Sequence, residues 1–200
     1  MSHKIPFKQA HYLTSSTSVA QLPSDHGGEI AFIGRSNAGK SSALNTITGV
    51  HGLARTSSAP GRTQMINFFG LDDTHRLVDL PGYGFAKVPK AVKARWQKTT
   101  ADYLETRESL LGLVLVMDAR HPLKDLDCQM IDWCTEFQVP LHILLTKADK
   151  LTPNVQKKTL FAVQKELAEI DGVTIQLFSS LKKAGVDEAR ERLMRWFLNT

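Results

Sequence analysis

Eight consecutive residues, Gly34-Arg35-Ser36-Asn37-Ala38-Gly39-Lys40-Ser41, read G-x-x-x-x-G-K-S. That spacing suits a loop that cradles phosphate. Glycines let the backbone curl until successive N–H groups point inward at an anion. Lys40 can reach a β- and a γ-phosphate. The Ser41 hydroxyl can take one place on a Mg²⁺ that keeps most of its waters and substrate oxygens. A helix starting here would add the positive end of its dipole. The G-x-G-x-x-G spacing of a dinucleotide loop is absent.

Four further stretches carry matching chemistry. Asp79-Leu80-Pro81-Gly82 is a D-x-x-G some forty residues on. Its Asp can hold Mg²⁺ through water, and Gly82 can offer a backbone N–H to the γ-phosphate. Thr63, within Pro60-Gly61-Arg62-Thr63-Gln64-Met65, is a natural second protein ligand to Mg²⁺. It lies in a long loop of the kind that γ-phosphate orders and hydrolysis releases. Thr146-Lys147-Ala148-Asp149 suits a purine base. Asp149 can accept from the N1–H and exocyclic amine of guanine, a donor pair adenine lacks. A site that leaves a buried polar group unpaired discriminates by about 10⁴–10⁵. The stem of Lys147 can lie over the base plane. Backbone N–H groups of Ser179-Ser180-Leu181 could bind the guanine carbonyl.

The elements needed to position these residues are legible. Glu29–Ile33 is apolar enough for a buried parallel strand. Ser41–Thr48 reads as a helix stopped by Gly49. Val50–Thr63 is a long connection, functional or mobile by its length. Gln64–Phe69 and His75–Asp79 form two strands about an Asp72-Asp73 turn. Then come a helix over Pro89–Arg107, with Val92, Trp96, Tyr103 and Leu104 near one face, and a buried strand over Leu111–Met117. A helix over Leu126–Phe137, a strand over Leu141–Leu145 and a helix over Val155–Ile170 follow. A strand over Val173–Phe178 and an amphipathic helix over Val186–Leu198 close the chain. Such alternation predicts an α/β fold with a mostly parallel six-stranded sheet, covered on both faces, with one antiparallel edge strand. Ligands in such sheets bind outside the carboxyl ends of the strands. Residues 1–28 read as a polar extension packed through Phe7, Tyr12 and Leu22, with one domain over 29–200.

Composition narrows the classes. Two hundred residues, 42% hydrophobic and 22% charged, are those of one ordinary globular domain. No apolar run is long enough to span a membrane, and the first eight residues lack the apolar core of a signal peptide, so the cytoplasm is the expected location. Cys128 and Cys134 fall on different faces of a predicted helix and read as buried thiols, not metal ligands. Net charge is +5, with Lys87, Lys90, Lys93, Arg95 and Lys98 in one cluster and Lys182, Lys183, Arg190, Arg192 and Arg195 in another. Singly these are solvated faces; as a set they permit a nucleic-acid partner.

Together the five motifs, in this order, resemble those of the translation-factor-like P-loop GTPases, and more narrowly the bacterial EngB (YihA/YsxC) family. The matching words are Gly34 through Ser42, Pro60-Gly61-Arg62-Thr63-Gln64, Asp79-Leu80-Pro81-Gly82-Tyr83-Gly84, Thr146-Lys147-Ala148-Asp149, Ser179-Ser180-Leu181-Lys182-Lys183 and Arg120-His121-Pro122-Leu123. The resemblance covers about residues 8–198. It implies a three-layer Ras-like fold, GTP and GDP as ligands, Mg²⁺ as cofactor, and a role in assembling the large ribosomal subunit, with ribosomal RNA as the expected partner of the two cation clusters. It also implies a requirement in cell division and septation. Lys40, Asn37, Thr63 and Gly82 are the groups expected at the reacting phosphate. Ser41 and Thr63 are the expected metal ligands, with Asp79 acting through water.

Two residues depart from a generic GTPase. Tyr83 follows Gly82, and a phenol cannot orient an attacking water as a Gln amide does. Asn37 occupies the loop position that, in related GTPases, helps hold a K⁺ beside the phosphates; its bland reading is a loop cap. A second class of function stays open: a nucleotide-gated binding protein of the division machinery in which hydrolysis is secondary. A nucleotide kinase is disfavoured, because Thr146-Lys147-Ala148-Asp149 has no role in one.

Overall fold

Apolar runs alternating with helical stretches fold into one seven-stranded sheet: β1 (His11–Ser16), β2 (Gly28–Gly34), β3 (Ile66–Gly70), β4 (His75–Asp79), β5 (Leu110–Asp118), β6 (Leu141–Thr146) and β7 (Val173–Leu177). The strand order is β1-β3-β4-β2-β5-β6-β7. Five helices join them: α1 (Lys40–Thr48), α2 (Lys90–Thr106), α3 (Asp125–Glu136), α4 (Pro153–Glu166) and α5 (Val186–Leu198). The structure, a computed structural model, describes residues 5–54, 65–83 and 90–198, with the backbone alone over 90–97.

The sheet has seven strands where six were expected. The extra strand, β1, comes from the N-terminal extension and pairs antiparallel with β3, His11 opposite Gly70 and Ser16 opposite Ile66. Its sequence, His11-Tyr12-Leu13-Thr14-Ser15-Ser16, has no apolar alternation, and its first three residues are exposed. What makes it a strand is the edge of β3, whose backbone groups need partners. A register shift beyond Tyr12 marks a bulge, a common feature of edges. The strand that runs against its neighbours is therefore β3, second from the edge, antiparallel to both β1 and β4.

Alternate residues of the central strands face opposite cores, as the period of two requires. Ile30, Phe32, Val114 and Val116 face a core closed by Leu44 and Ile47 of α1 and Leu193 and Phe197 of α5. Ala31, Ile33, Leu113 and Leu115 face a second core, closed by Tyr103 of α2, Ile131 of α3 and Val163 of α4. Phe7 joins the first core and Leu22 packs on the second, while Tyr12 is 57% exposed. Cys134 is buried and Cys128 half-buried, and both are free thiols.

Strands β4, β2, β5, β6 and β7 are all parallel. Their carboxyl ends therefore share one rim: Phe32 pairs with Asp79, Gly34 with Val116, Asp118 with Thr146 and Leu145 with Leu177. The opposite rim is held by a buried cluster. Glu29 accepts from Tyr103 Oη at 2.9 Å and from Arg107 Nε and Nη2 at 2.9 and 2.7 Å. Arg76 Nε lies 3.4 Å from the same carboxylate. Burial and the adjacent Glu29 carboxylate push the Tyr103 phenol well above its usual pKa. This cluster ties the end of α2 to the starts of β2 and β4, leaving the carboxyl rim for chemistry.

Candidate functional site

The phosphate-type loop begins where β2 ends. A Cβ at Gly34 would meet the Val116 carbonyl oxygen at 2.4 Å, so glycine alone lets β2 lie this close to β5 there. The chain then turns through left-handed positions at Asn37 (φ 64) and Gly39 (φ 96) into α1. Asparagine tolerates that conformation better than most residues. Ser36 N donates to the Tyr83 carbonyl at 2.8 Å, and Tyr83 N to the Gly34 carbonyl at 3.2 Å. Tyr83, the residue after Asp79-Leu80-Pro81-Gly82, is thus stitched to the loop by backbone bonds. Among the described residues the Asn37 side chain has no hydrogen-bond partner.

Lys40 is the first residue of α1 and only 9% exposed. Its ammonium pairs directly with Asp79 Oδ1, and Asp79 is 2% exposed. The expected phosphate lysine and metal-side aspartate are therefore neighbours, brought together because β2 and β4 pair in parallel register. Ser41, next on α1, is half-buried.

The base-type loop starts at the end of β6. Thr146 Oγ1 hydrogen-bonds the Ala38 carbonyl of the phosphate-type loop and reaches the Met117 carbonyl at 2.9 Å. Lys147 adopts a left-handed backbone (φ 55), and its Nζ donates to the Asn37 carbonyl at 2.6 Å. Asp149 sits on the short 3₁₀ turn Ala148–Lys150 and accepts from Ser179 Oγ at 2.5 Å. Lys182 N donates to the same hydroxyl at 3.1 Å. Asp149 Oδ2 takes no hydrogen bond from a described residue. Ser180 is half-buried and Leu181 71% exposed.

Tyr83 turns inward. Its hydroxyl donates to Asp127 Oδ1 at 2.6 Å, and Asp127, on α3, is 1% exposed. Asp127 Oδ2 accepts from Lys124 N at 3.0 Å. Burial and the Asp127 carboxylate push the phenol far above its usual pKa. The ring is a strut between the D-x-x-G segment and α3.

Gly61, Arg62, Thr63, Gln64, Gly84 and Lys87 lie outside the described residues, as do the side chains of Lys90, Val92, Lys93, Arg95 and Trp96. Met65, just before β3, is 39% exposed. The C-terminal cations do not form one free face. Lys182 and Lys183 are exposed beside the base-type loop. Arg190 instead donates to the Ile47 carbonyl at the end of α1 at 2.7 Å and lies 3.4 Å from Asp187.

Two residues without a motif belong to this rim: Asp127, described above, and Asp118 at the end of β5. Asp118 Oδ2 lies 3.0 Å from Lys147 Nζ and 2.7 Å from Arg120 Nη2. Its sequence signal is the one Asp79 shows, a carboxylate closing a buried apolar strand.

A phosphate-type loop bonded to a base-type loop, at the carboxyl rim of a doubly covered parallel sheet, defines a P-loop GTPase fold. The model of a family described as 50S ribosome-binding GTPase matches residues 29–147. A probable GTP-binding protein EngB of Coxiella burnetii (strain RSA 331 / Henzerling II) is 57% identical over 192 residues, covering 96% of this chain and 94% of that protein. A protein of the same name from Vibrio parahaemolyticus is 52% identical over 198 residues, covering 98% and 90%. Among solved structures, a probable GTP-binding protein engB superposes with a TM-score of 0.70 at 24% identity, covering 86% of this chain and all of that one. Era in complex with MgGDPNP and nucleotides 1506–1542 of 16S ribosomal RNA superposes with a TM-score of 0.68 at 20% identity, covering 86% and 57%. The chain belongs to the EngB family of GTP-binding proteins. Among the described residues no helix is long and apolar enough to cross a membrane.

Proposed function

We propose that this chain is a GTP-driven switch that acts on the large ribosomal subunit during its assembly and is needed for normal cell division and septation. It binds GTP and GDP, hydrolyses GTP slowly, and works as a monomer in the cytoplasm. The observation that carries this reading is the direct bonding of the two loops, Lys147 Nζ to the Asn37 carbonyl at 2.6 Å. That bond supports reading base contacts and phosphate contacts on one rim.

In this reading, backbone N–H groups from Gly34 to Ser42 wrap the phosphates, and Lys40 neutralises the β- and γ-oxygens. Gly82 N–H meets the γ-phosphate. Asp149 accepts from guanine N1–H and the exocyclic amine, the Lys147 stem covers the base, and Ser179–Leu181 bind the guanine carbonyl. Ser41 and Thr63 would hold Mg²⁺, with Asp79 acting through water. The Ser41 hydroxyl and Asp79 carboxylate are hard oxygens that suit this ion. When bound, such an ion would supply positive charge to offset the charge that develops on the phosphate oxygens.

Tyr83, held by Asp127, offers no amide to orient an attacking water. Unassisted turnover is therefore expected on the order of 10⁻³ s⁻¹ or less, measured as phosphate release under single-turnover conditions. Replacing Na⁺ by K⁺ is expected to raise that rate, with the Asn37 side chain holding the cation beside the phosphates. Equal rates in the two salts would leave Asn37 a structural role only.

The ribosomal part is supported by the description of the matching family model and by the cations that follow Gly82. Contacts of Thr63 and Gly82 with the γ-phosphate would couple the nucleotide state to the basic stretch that follows Gly82. A ligand shifts an equilibrium only by its differential affinity for the two states. GTP must then tighten ribosome binding, and the ribosome must tighten GTP binding by the same factor. Pelleting with isolated large subunits, in GTP analogue, GDP and no nucleotide, tests this. Pelleting should be strongest with the analogue and weaken with salt at a slope of about 0.7–0.9 per phosphate neutralised. Equal pelleting in all three states would sink the gating.

A further inference from the structure

Asp118 closes β5 with a carboxylate that holds two cations at once. Oδ1 accepts from the Arg120 backbone N–H at 3.0 Å and from Arg120 Nε at 2.9 Å. Oδ2 accepts from Arg120 Nη2 at 2.7 Å and faces Lys147 Nζ at 3.0 Å. Lys147 Nζ also donates to the Asn37 carbonyl at 2.6 Å. A single ammonium thus spans a strand end and the phosphate loop. Asp118 is the one anion it pairs with among the described residues. Burial works against ionisation of Asp118, but hydrogen bonds from Arg120 and Lys147 outweigh it and hold the carboxyl far below the usual carboxylate range.

The backbone at both ends of the bridge is unusual. Lys147 (φ 55) and Asn37 (φ 64) are left-handed, and neither is glycine. Such conformations are disfavoured for residues with a Cβ and persist where the surroundings fix them. The side-chain bond from Lys147 to the Asn37 carbonyl joins these two positions, and Asp118 fixes the head that makes it. Without Asp118 the long lysine stem would be free to swing, because its head would keep only a neutral carbonyl.

We propose that Asp118 is a positioning residue for guanine-nucleotide binding, holding the Lys147 ammonium against the phosphate loop so that the base loop and the phosphate loop are set as one unit. The inference rests on the reading of Lys147 as part of the base site. Asp118 acts through Lys147 and touches no nucleotide. Arg120 grips the other side of the same carboxylate, but its side chain is 43% exposed, and its backbone N–H would stay in place if that side chain were removed. The two ends of the triad should therefore weigh differently in binding.

The test is release of a fluorescent GDP analogue from the full chain by stopped flow. The variants are Asp118→Asn, Arg120→Ala, Lys147→Ala and the double Asp118→Asn/Lys147→Ala. Asp118→Asn is expected to speed release about tenfold, the scale of coupling between bonded neighbours. In the Lys147→Ala background the same change should alter release by less than about twofold. Arg120→Ala should stay within about threefold of wild type. A merely structural role for Asp118 would speed release equally in both backgrounds, and that result would overturn the proposal, as would wild-type release from Asp118→Asn. Should Asp118→Asn fail to fold by thermal melting, Asp118→Glu serves: it keeps the charge but shifts it by one methylene. Its faster release should likewise vanish without Lys147, and persistence there overturns the proposal. A wild-type chain that holds no guanine nucleotide would instead overturn the reading of the site itself.

Discussion

Asp149→Asn is expected to turn a guanine site into a xanthine site. The carboxylate offers two acceptors to the N1–H and exocyclic amine of guanine. An amide offers one acceptor and one donor, which faces that amine donor to donor. Losing charge-assisted hydrogen bonds of about 1.5–3 kcal/mol each should weaken GTP binding by about 10²–10⁴-fold. Xanthosine triphosphate carries a carbonyl where guanine has the amine, so its binding should rise. The fold should survive. Asp149 is only half-buried, and Asn keeps the acceptor that Ser179 Oγ reaches at 2.5 Å. Titration with fluorescent GTP and competition with xanthosine triphosphate read both effects. Unchanged GTP affinity would remove Asp149 from the base site.

Lys40→Ala is expected to cost both affinity and stability. Read from the chain alone, Lys40 is an exposed loop lysine whose loss the fold should ignore. The structure corrects this: Lys40 is 9% exposed and paired with Asp79, itself 2% exposed. Removing one partner of a buried ion pair strands the other, at about 3–5 kcal/mol. For a domain of this size that lowers Tm by roughly 6–20 °C. Triphosphate affinity should fall by about 10–100-fold, the worth of a charge-assisted contact. The double variant Lys40→Ala/Asp79→Asn separates the two effects. It should recover much of the Tm, since no buried charge is left alone, while triphosphate binding stays weak. Thermal melts with and without nucleotide, beside binding titrations, measure this. A Lys40→Ala chain that binds as tightly as wild type would defeat the phosphate reading of the loop.

What the amino-acid sequence determined by itself was local or periodic. The glycine spacing from Gly34 to Gly39 was legible because left-handed and close-packed backbone positions admit few residue types. The central strands were legible as continuous apolar runs, because both faces of the sheet are covered, and the five helices because burial of one face imposes a period of 3.6 on apolar residues. The stop of α1 at Gly49 followed from its left-handed cap (φ 76). The carboxyl-rim location of the motifs followed from the parallel alternation. Contacts between residues far apart in the chain were decided only by the tertiary structure. The Ser/Thr-rich stretch His11–Ser16 is a strand because β3 offers it an edge, not because of its own pattern. Tyr83 looks inward because Asp127, 44 residues later, accepts its hydroxyl. Lys40 is buried because parallel pairing sets Asp79 beside it, 39 residues on. Asp118 had no motif to announce it, since its partner Lys147 lies just past the end of the neighbouring strand and binds it through a side chain. Sequence spacing carries backbone conformation and face; which charged heads meet across a rim depends on strand order and register, and those are properties of the whole sheet.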